Sequence, residues 1–330
     1  HKSGKNTLEV IFTVLHAGGK FSNEGGYKTA GGLHGVGASV VNALSKWCEV
    51  EVCRDKKRYR MRFENGGKKI GKLEELGTTN KTGSKVTFMP DDTIFSTTTF
   101  NFNTICERAQ EEAFLLEGVK IVVKDYIHNE ESEFHYENGL LAFMNYLHED
   151  KDVLHEPVIF SGESNGINIK CAFQYTDGYQ ENTFSYVNLV RTKDGGTHEV
   201  GYKTAFTKTI NDYARNNGLL KEKDKNFEGS DVIEGLTSII VVTIPEDLLQ
   251  FEGQTKGKLG TPIAKTAVDN VVSEHLMYFL VENKDLATSL IKKIQRAAYA
   301  RDAARKAKDE ARAGKKSSSK AKEVLSGKLA

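Results

Sequence analysis

Apolar and polar positions alternate unevenly along the chain, and the changes of period mark its elements. Residues 8–16 alternate weakly and then run apolar, which predicts a short helix leading into a glycine-rich segment. Cys48 to Arg54, Tyr59 to Phe63 and Ser84 to Phe88 read as β-strands, separated by turn chemistry such as Glu64-Asn65-Gly66-Gly67. A helix follows from about Asn103 to Leu116, with Ile105, Ala109, Ala113, Leu115 and Leu116 near helical spacing, and Val119 to Lys124 is then a strand. The stretch from His135 to Leu140 reads as a boundary. Beyond it come strands at Ile167–Ala172 and Phe184–Leu189, a helix at 199–216, a polar loop at 221–231 and a β-branched strand at 239–244. This order predicts a second α/β layer domain. From about Ala264 the pattern is helical, ending in an Ala/Lys/Arg-rich helix through Arg312. Gly314 is expected to break that helix, and residues 315–320 to form a flexible linker.

Composition adds bounds to this outline. The 330 residues suit about two domains, and 38% hydrophobic with 28% charged residues fits a soluble globular protein. No run approaches the roughly 18 apolar residues of a membrane span, and no signal peptide is visible, so no membrane partner is expected. Cys48, Cys53, Cys106 and Cys171 lack CxxC spacing; with no paired pattern, the expectation is a reducing cytoplasm and no metal site built on thiolates. The formal net charge of +1 conceals an asymmetry. Residues 292–322 carry twelve basic and three acidic side chains, a net +9, which leaves −8 on the rest. A basic terminal segment on an acidic body points to a polyanion at that end. The sequence starts at His1 and ends at Leu329-Ala330, and both ends read as cut from something longer.

Two stretches carry candidate chemistry. In Tyr27-Lys28-Thr29-Ala30-Gly31-Gly32-Leu33-His34-Gly35-Val36-Gly37-Ala38, glycines 32, 35 and 37 allow close backbone approach to a ligand. A helix start after Gly37 would turn free N–H groups and a positive helix end toward a phosphate. A bare glycine cluster is also what an ordinary loop shows. Far downstream, Gln250-Phe251-Glu252-Gly253-Gln254-Thr255-Lys256-Gly257-Lys258-Leu259-Gly260 puts a lysine at the tip of a glycine-flanked loop, where it can deliver one point charge to an anion. Among 46 Lys+Arg residues, a single loop lysine is ordinarily a solvated charge.

Taken together, four blocks in order carry a resemblance: Thr13 to Phe21, Gly31 to Gly37, Arg191-Thr192-Lys193-Asp194-Gly195-Gly196-Thr197-His198, and Gln254-Thr255-Lys256. Over nearly its whole length the chain resembles the ATPase subunit of bacterial type IIA topoisomerases, the gyrase B and topoisomerase IV B family. Lys81 to Asp91 and Asn211-Asp212-Tyr213-Ala214-Arg215 look more like topoisomerase IV than gyrase. The resemblance implies a partial GHKL-type ATPase sandwich over residues 1–139 and a ribosomal S5 domain 2-like transducer over 140–290. A basic helix and linker over 291–330 would lead toward a metal-binding TOPRIM domain. It implies ATP with Mg²⁺ as cofactors and dimerisation of B subunits on ATP binding. It also implies a topoisomerase A-type partner subunit, which carries the DNA-cutting tyrosine, and sequence-independent contact of the basic helix with a DNA duplex.

By the same resemblance, the triphosphate would be wrapped by Gly32, Leu33, His34, Gly35, Val36, Gly37 and Ala38, mainly through backbone N–H groups. Lys20, Tyr27 and Lys28 belong to the lid over the nucleotide. Ser84 stands where the family usually has a threonine near the adenine pocket, a swap that keeps the hydroxyl. Gln254 and Lys256 would reach the nucleotide from the second domain, with Lys256 on the γ-phosphate. The glutamate base, the magnesium-binding asparagine and the Asp-x-Gly-x-Gly loop of the family are absent, and His1 aligns just after that loop. The expectation is therefore that this chain holds the lid and the sensor lysine, supplies no metal ligand, and does not hydrolyse ATP by itself. Two departures touch the transducer: Leu189 stands where an asparagine is normal, and Ile233 where an arginine is usual. The competing readings are another clamp of the same ATPase superfamily, such as a MutL-type protein, an Hsp90 chaperone or a histidine kinase, and a non-enzymatic fragment that binds DNA or a subunit. Kinases lack the second domain with its lysine, and the MutL and Hsp90 proteins do not normally carry Gln254-Thr255-Lys256 with Lys258-Leu259-Gly260 behind it.

Overall fold

The computed structural model describes residues 4–17, 35–253 and 255–326, with side chains described as far as residue 313. The chain divides into two compact units, one of residues 1–108 with 123–132, the other of 109–122 with 133–330.

The first unit opens with helix α1 (Thr7–Thr13), whose N-cap Asn6 accepts a hydrogen bond from the Leu8 N–H at 2.9 Å. Helix α2 (Gly37–Ala43) precedes strands β1 (Ser45–Arg54), β2 (Lys57–Glu64), β3 (Lys69–Ile70), β4 (Glu74–Thr78) and β5 (Gly83–Pro90). They form one antiparallel sheet in the order β3-β2-β1-β5, with β4 also paired to β2. The three strands expected from alternation are present. The two short ones, β3 and β4, lack an apolar repeat and are exposed at nearly every position. Phe12, Cys48, Val50, Met61 and Phe63 form the core, and Phe12 stacks on Phe63 with ring centroids 5.7 Å apart. Cys48 is thus a small apolar core residue.

Helix α3 (Phe102–Leu115) closely matches the expected span, with Ala113 buried and Leu115 packed on the core as expected, but its inward face also takes in Phe114. Its buried residues are Ala113 and Phe114, whereas Ile105 is exposed. Phe114 stacks on Tyr136 (4.3 Å) and Phe143 (4.8 Å), so aromatic partners downstream, rather than the helix's own period, set which face is covered. Strands β6 (Ile121–Asp125) and β7 (Glu130–Phe134) pair as a hairpin, and helix α4 (Gly139–Leu147) occupies the end of the stretch read as a boundary.

The second unit is built on a sheet of β8 (Val158–Ser164), β9 (Ile167–Tyr175), β10 (Asn182–Val187), β11 (Val190–Arg191) and β12 (Leu236–Thr243). The order is β11-β10-β12-β9-β8, and only β10 and β12 are parallel. A parallel pair needs a crossover, and here it runs through helix α5 (Thr197–Asn216) and the short α6 (Gly229–Val232). After β12 come β13 (Phe251–Glu252), β14 (Lys258–Leu259), α7 (Pro262–Glu282) and α8 (Lys284–Ser326). Ala172, Tyr186 and Ile239 of the sheet are buried together with Phe114, Leu140, Phe143 and Met144. Helices α5 and α7 touch at Gly201, where an added Cβ would lie 2.3 Å from the Lys265 carbonyl oxygen.

Two expectations change here. Helix α8 continues through Gly314 to Ser326, so Gly314 does not break it and residues 315–320 are helical in place of a linker. One interior glycine costs a helix about 1 kcal/mol relative to alanine, too little to end a run of good helix formers. Leu189, the first of the two departures, also acquires a physical meaning. Asn188 and Leu189 are the two residues between Val187 and Val190, with φ of 48° and 68°. Two-residue hairpins with both φ values positive favour Asn and Gly, and a leucine there carries left-handed strain of about 1–2 kcal/mol. Leu189→Asn is expected to raise the unfolding free energy by about 1 kcal/mol, read as a higher urea midpoint at unchanged m. Ile233 is the C-cap of α6, and nothing in the structure explains its presence there.

Candidate functional site

In the first unit, the end of the glycine-rich segment behaves as its residues predict. Gly35 has φ 54°, Val36 is the N-cap of α2, and Gly37 is its first residue. Among the described residues, no side chain caps this helix and an added Cβ at Gly37 would meet nothing within 4 Å. The Ala38 side chain packs on the Phe12 core, which leaves its backbone N–H as the group expected to act. Ser84 lies exposed on β5, paired with Val52. Lys20, Tyr27, Lys28, Gly32, Leu33, His34 and Gln254 lie outside the described residues. An apolar hollow of about 220 Å³ between α2, β5 and residues 95–100 is lined by Val40, Leu44, Phe88, Phe95 and Phe100, and no charged side chain borders it.

The second unit holds Lys256. Strands β13 and β14 pair Phe251 with Leu259 and Glu252 with Lys258, and an ion pair of 3.0 Å joins Lys258 to Glu252. Lys256 sits in the intervening loop with φ 56°, a left-handed conformation that costs a lysine about 1–2 kcal/mol. It is half-buried, and burial pushes its ammonium below the ordinary lysine range. A strained, partly desolvated lysine at a loop tip is held there by its surroundings.

Those surroundings come from the Arg191–His198 block, which the sequence singled out without assigning it work. The Asp194 N–H donates to the Gly257 carbonyl (2.8 Å), and the Leu259 N–H donates to the Gly195 carbonyl (3.0 Å). Gly196 forms an isolated parallel bridge with Leu259, so the residues ahead of α5 lie against the hairpin. Thr197 Oγ1 donates to the Thr261 carbonyl at 2.7 Å. Thr261 Oγ1 accepts from the Gln250 N–H and donates to the Leu248 carbonyl, both at 2.9 Å. Sequence reasoning missed Gly196, Thr197 and Thr261 as parts of the site. Their only signal was a Gly-Gly-Thr run opening a helix.

Beneath the hairpin a polar network is sealed from solvent. His198 is 0% exposed; its Nε2 lies 3.0 Å from Thr192 Oγ1, and its Nδ1 has no partner among the described residues. Ser185 Oγ lies 2.5 Å from both Thr192 Oγ1 and Glu199 Oε1. Burial pushes the His198 pKa down to about 4 from the usual 6.5, so the ring is neutral at pH 7. A depressed histidine pKa gives stability that is complete above pH 6.5 and lost as pH falls toward 4. At about 1.36 kcal/mol per pKa unit, urea melts at pH 4.5 and 7 are expected to differ by roughly 2–3 kcal/mol more in the native protein than in His198→Gln. His148 and His155, whose pKa values burial also lowers, add to the acid sensitivity of both proteins and cancel in that difference.

The basic helix is less uniform than its composition suggests. Lys293 Nζ donates to the Gly178 carbonyl at 2.8 Å, and Arg301 is paired with Asp231 (2.7 Å) and Glu228 (2.7 Å), so both serve internal contacts. Asp231 is 2% exposed and closes the capping box of α6, so Arg301 pins α8 to that turn. At 3.6 residues per turn the exposed Arg305, Lys308 and Arg312 continue the Arg301 face, while Lys292, Arg296 and Lys306 lie on the opposite side. Among the described residues, no group of three His, Cys, Asp or Glu side chains could hold a metal ion, and no helix is long and apolar enough to cross a membrane.

Comparison with known proteins places this architecture. The sequence model of the DNA gyrase B family matches residues 139–310, just over half the chain. The chain is 61% identical over 329 residues to the B subunit of DNA topoisomerase 4 from Bacillus subtilis, a match that covers 100% of the chain and 50% of that relative. It is 59% identical over 305 residues to the Streptococcus pneumoniae protein of the same name, covering 92% and 47%. The chain thus spans about half the length of these relatives. Among solved structures, the 43K ATPase domain of Thermus thermophilus gyrase B, in complex with an aminocoumarin, superimposes with a TM-score of 0.73 at 38% identity, covering 93% of this chain and 79% of that one. The topoisomerase IV ATP binding domain of Francisella tularensis gives 0.72 at 32% identity, covering 89% and 77%.

Proposed function

The chain belongs to the DNA gyrase B family, and from that premise we propose that it is the nucleotide-operated clamp of a type IIA topoisomerase, from a B-type subunit of the topoisomerase IV kind. The observation that carries this reading is Lys256, held half-buried and in a strained conformation by a dedicated set of backbone contacts. A cation fixed in this way is suited to a ligand whose charge changes, and loss of a γ-phosphate would release its partner. ATP is the expected ligand, and the residues present fit it. Within the first unit, the start of α2 has no side-chain cap among the described residues, so its backbone N–H groups suit a phosphate; within the second, Lys256 suits an anion by its charge. Bound Mg²⁺ would neutralise phosphate charge; the described residues of this chain provide no cluster to hold it.

In the whole protein, ATP binding would close two B subunits around a DNA duplex, and an A-type subunit would open the second duplex for passage. The exposed cations on both sides of α8 suit phosphates without sequence preference, which fits a helix beside a captured duplex. The activity would be exercised in the cytoplasm. The test is reconstitution of the complete protein with its A-type partner, ATP and Mg²⁺. ATP-dependent unlinking of catenated circles without introduction of supercoils is the expected result. ATP-driven supercoiling would reassign the chain to gyrase, and unlinking independent of ATP would overturn the clamp.

A further inference from the structure

We infer that Thr261 is a positioning residue that fixes where Lys256 stands, an inference resting on the reading of Lys256 as the lysine that meets the nucleotide. Thr261 is the N-cap of α7, followed by Pro262 at the first helical position. A threonine at an N-cap ordinarily turns its hydroxyl inward to accept from the helix's own N–H groups. Here it makes no such bond. The hydroxyl is turned the other way, accepting from the Gln250 N–H and donating to the Leu248 carbonyl, while the Thr261 carbonyl accepts from Thr197 Oγ1. The residue is 1% exposed, so the Thr261 side of these part-buried bonds is shielded from water.

The arrangement fastens the two ends of the Lys256 hairpin to each other and to the starts of two helices. Gln250 and Thr261 flank β13 and β14, and the Gly260 N–H donates to the Gln250 carbonyl at 2.8 Å on the same rung. Helix α7 forgoes a side-chain cap, a device usually worth about 1 kcal/mol, and the hydroxyl goes to the hairpin. Geometry at a charged group that acts on a phosphoryl oxygen is steep: misplacement by about 1 Å can cost a hundredfold in rate. A hydroxyl that closes the hairpin base is therefore expected to show in turnover.

The experiment uses the complete protein and measures ATP hydrolysis, normalised to the folded fraction, in Thr261→Val, Thr261→Ser and Lys256→Ala. Valine keeps the shape and removes the hydroxyl; serine keeps the hydroxyl. Thr261→Val is expected to lower kcat by about tenfold with KM for ATP within about twofold, and Thr261→Ser to restore it to within about twofold of the native value. Should Thr261→Val fail to fold, Thr197→Val, which removes only the bond to the Thr261 carbonyl, is expected to lower kcat about threefold. Unchanged kcat in the folded valine variant, or an equal loss in the serine variant, overturns the inference while leaving the role of Lys256 intact. Native turnover in Lys256→Ala overturns both.

Discussion

Replacing Gly196 with alanine is expected to cost about 3–5 kcal/mol and to detach the Lys256 hairpin from the helix behind it. Two separable effects add at this position. Gly196 has φ 141°, a conformation that L side chains rarely adopt. A Cβ there would also stand 2.4 Å from the Leu259 carbonyl oxygen and 2.5 Å from its nitrogen, both backbone atoms of β14. Backbone cannot swing aside as a flexible side chain can, so the bridge between Gly196 and Leu259 has to open. Gly166→Ala isolates the conformational effect, since its φ of 72° faces nothing within 4 Å. It is expected to cost only about 1–2 kcal/mol. Urea denaturation of both variants gives the comparison; equal losses would show that the contact with Leu259 contributes nothing.

Lys256→Ala is the second large effect, and it should leave stability nearly untouched. Alanine in a left-handed conformation is no worse than lysine, so the backbone strain is unchanged by the substitution. In the complete protein, ATP turnover and ATP-dependent unlinking of DNA are expected to fall by about 10²–10³, the range seen when one preorganised charge-stabilising donor is removed. The urea midpoint should remain within error of the native value. A variant that hydrolyses ATP normally but no longer unlinks DNA would take Lys256 off the nucleotide and leave it acting on the clamp alone. A variant indistinguishable from the native protein in both assays would remove it from the site.

Much of this fold was legible from pattern alone, and its exceptions have physical causes. Helix α5 was found because a twenty-residue amphipathic run leaves little ambiguity, and β12 because Ile239 to Ile244 is apolar and β-branched. Helix α4 was passed over because Asn138-Gly139 looks like a turn, although Leu140, Phe143, Met144 and Leu147 keep helical spacing. The inward face of α3 was found at Ala113 and Leu115, but Phe114 was missed because it is drawn in by aromatic neighbours farther along the chain, which a local period cannot register. The site divides in the same way. Lys256 was readable as a lysine on a glycine-flanked loop. The block that grips it lies some sixty residues upstream, and joining the two requires knowing that Gly196 and Leu259 are bridged in space. Thr261 was hidden further, since a threonine before a proline at a helix start reads as an ordinary cap.

The close crossing at Gly201 ties together the two helices that begin beside the hairpin. Helices α5 and α7 are 20 and 21 residues long, so each extends about 30 Å. They meet backbone to backbone at Gly201 and Lys265, only one turn from the ends fastened to Lys256. The far end of α5 reaches Arg215, whose guanidinium holds Asn226 just ahead of the turn that grips Arg301 of α8. A displacement of the hairpin would thus have a contiguous path through α5 to the middle of the long basic helix.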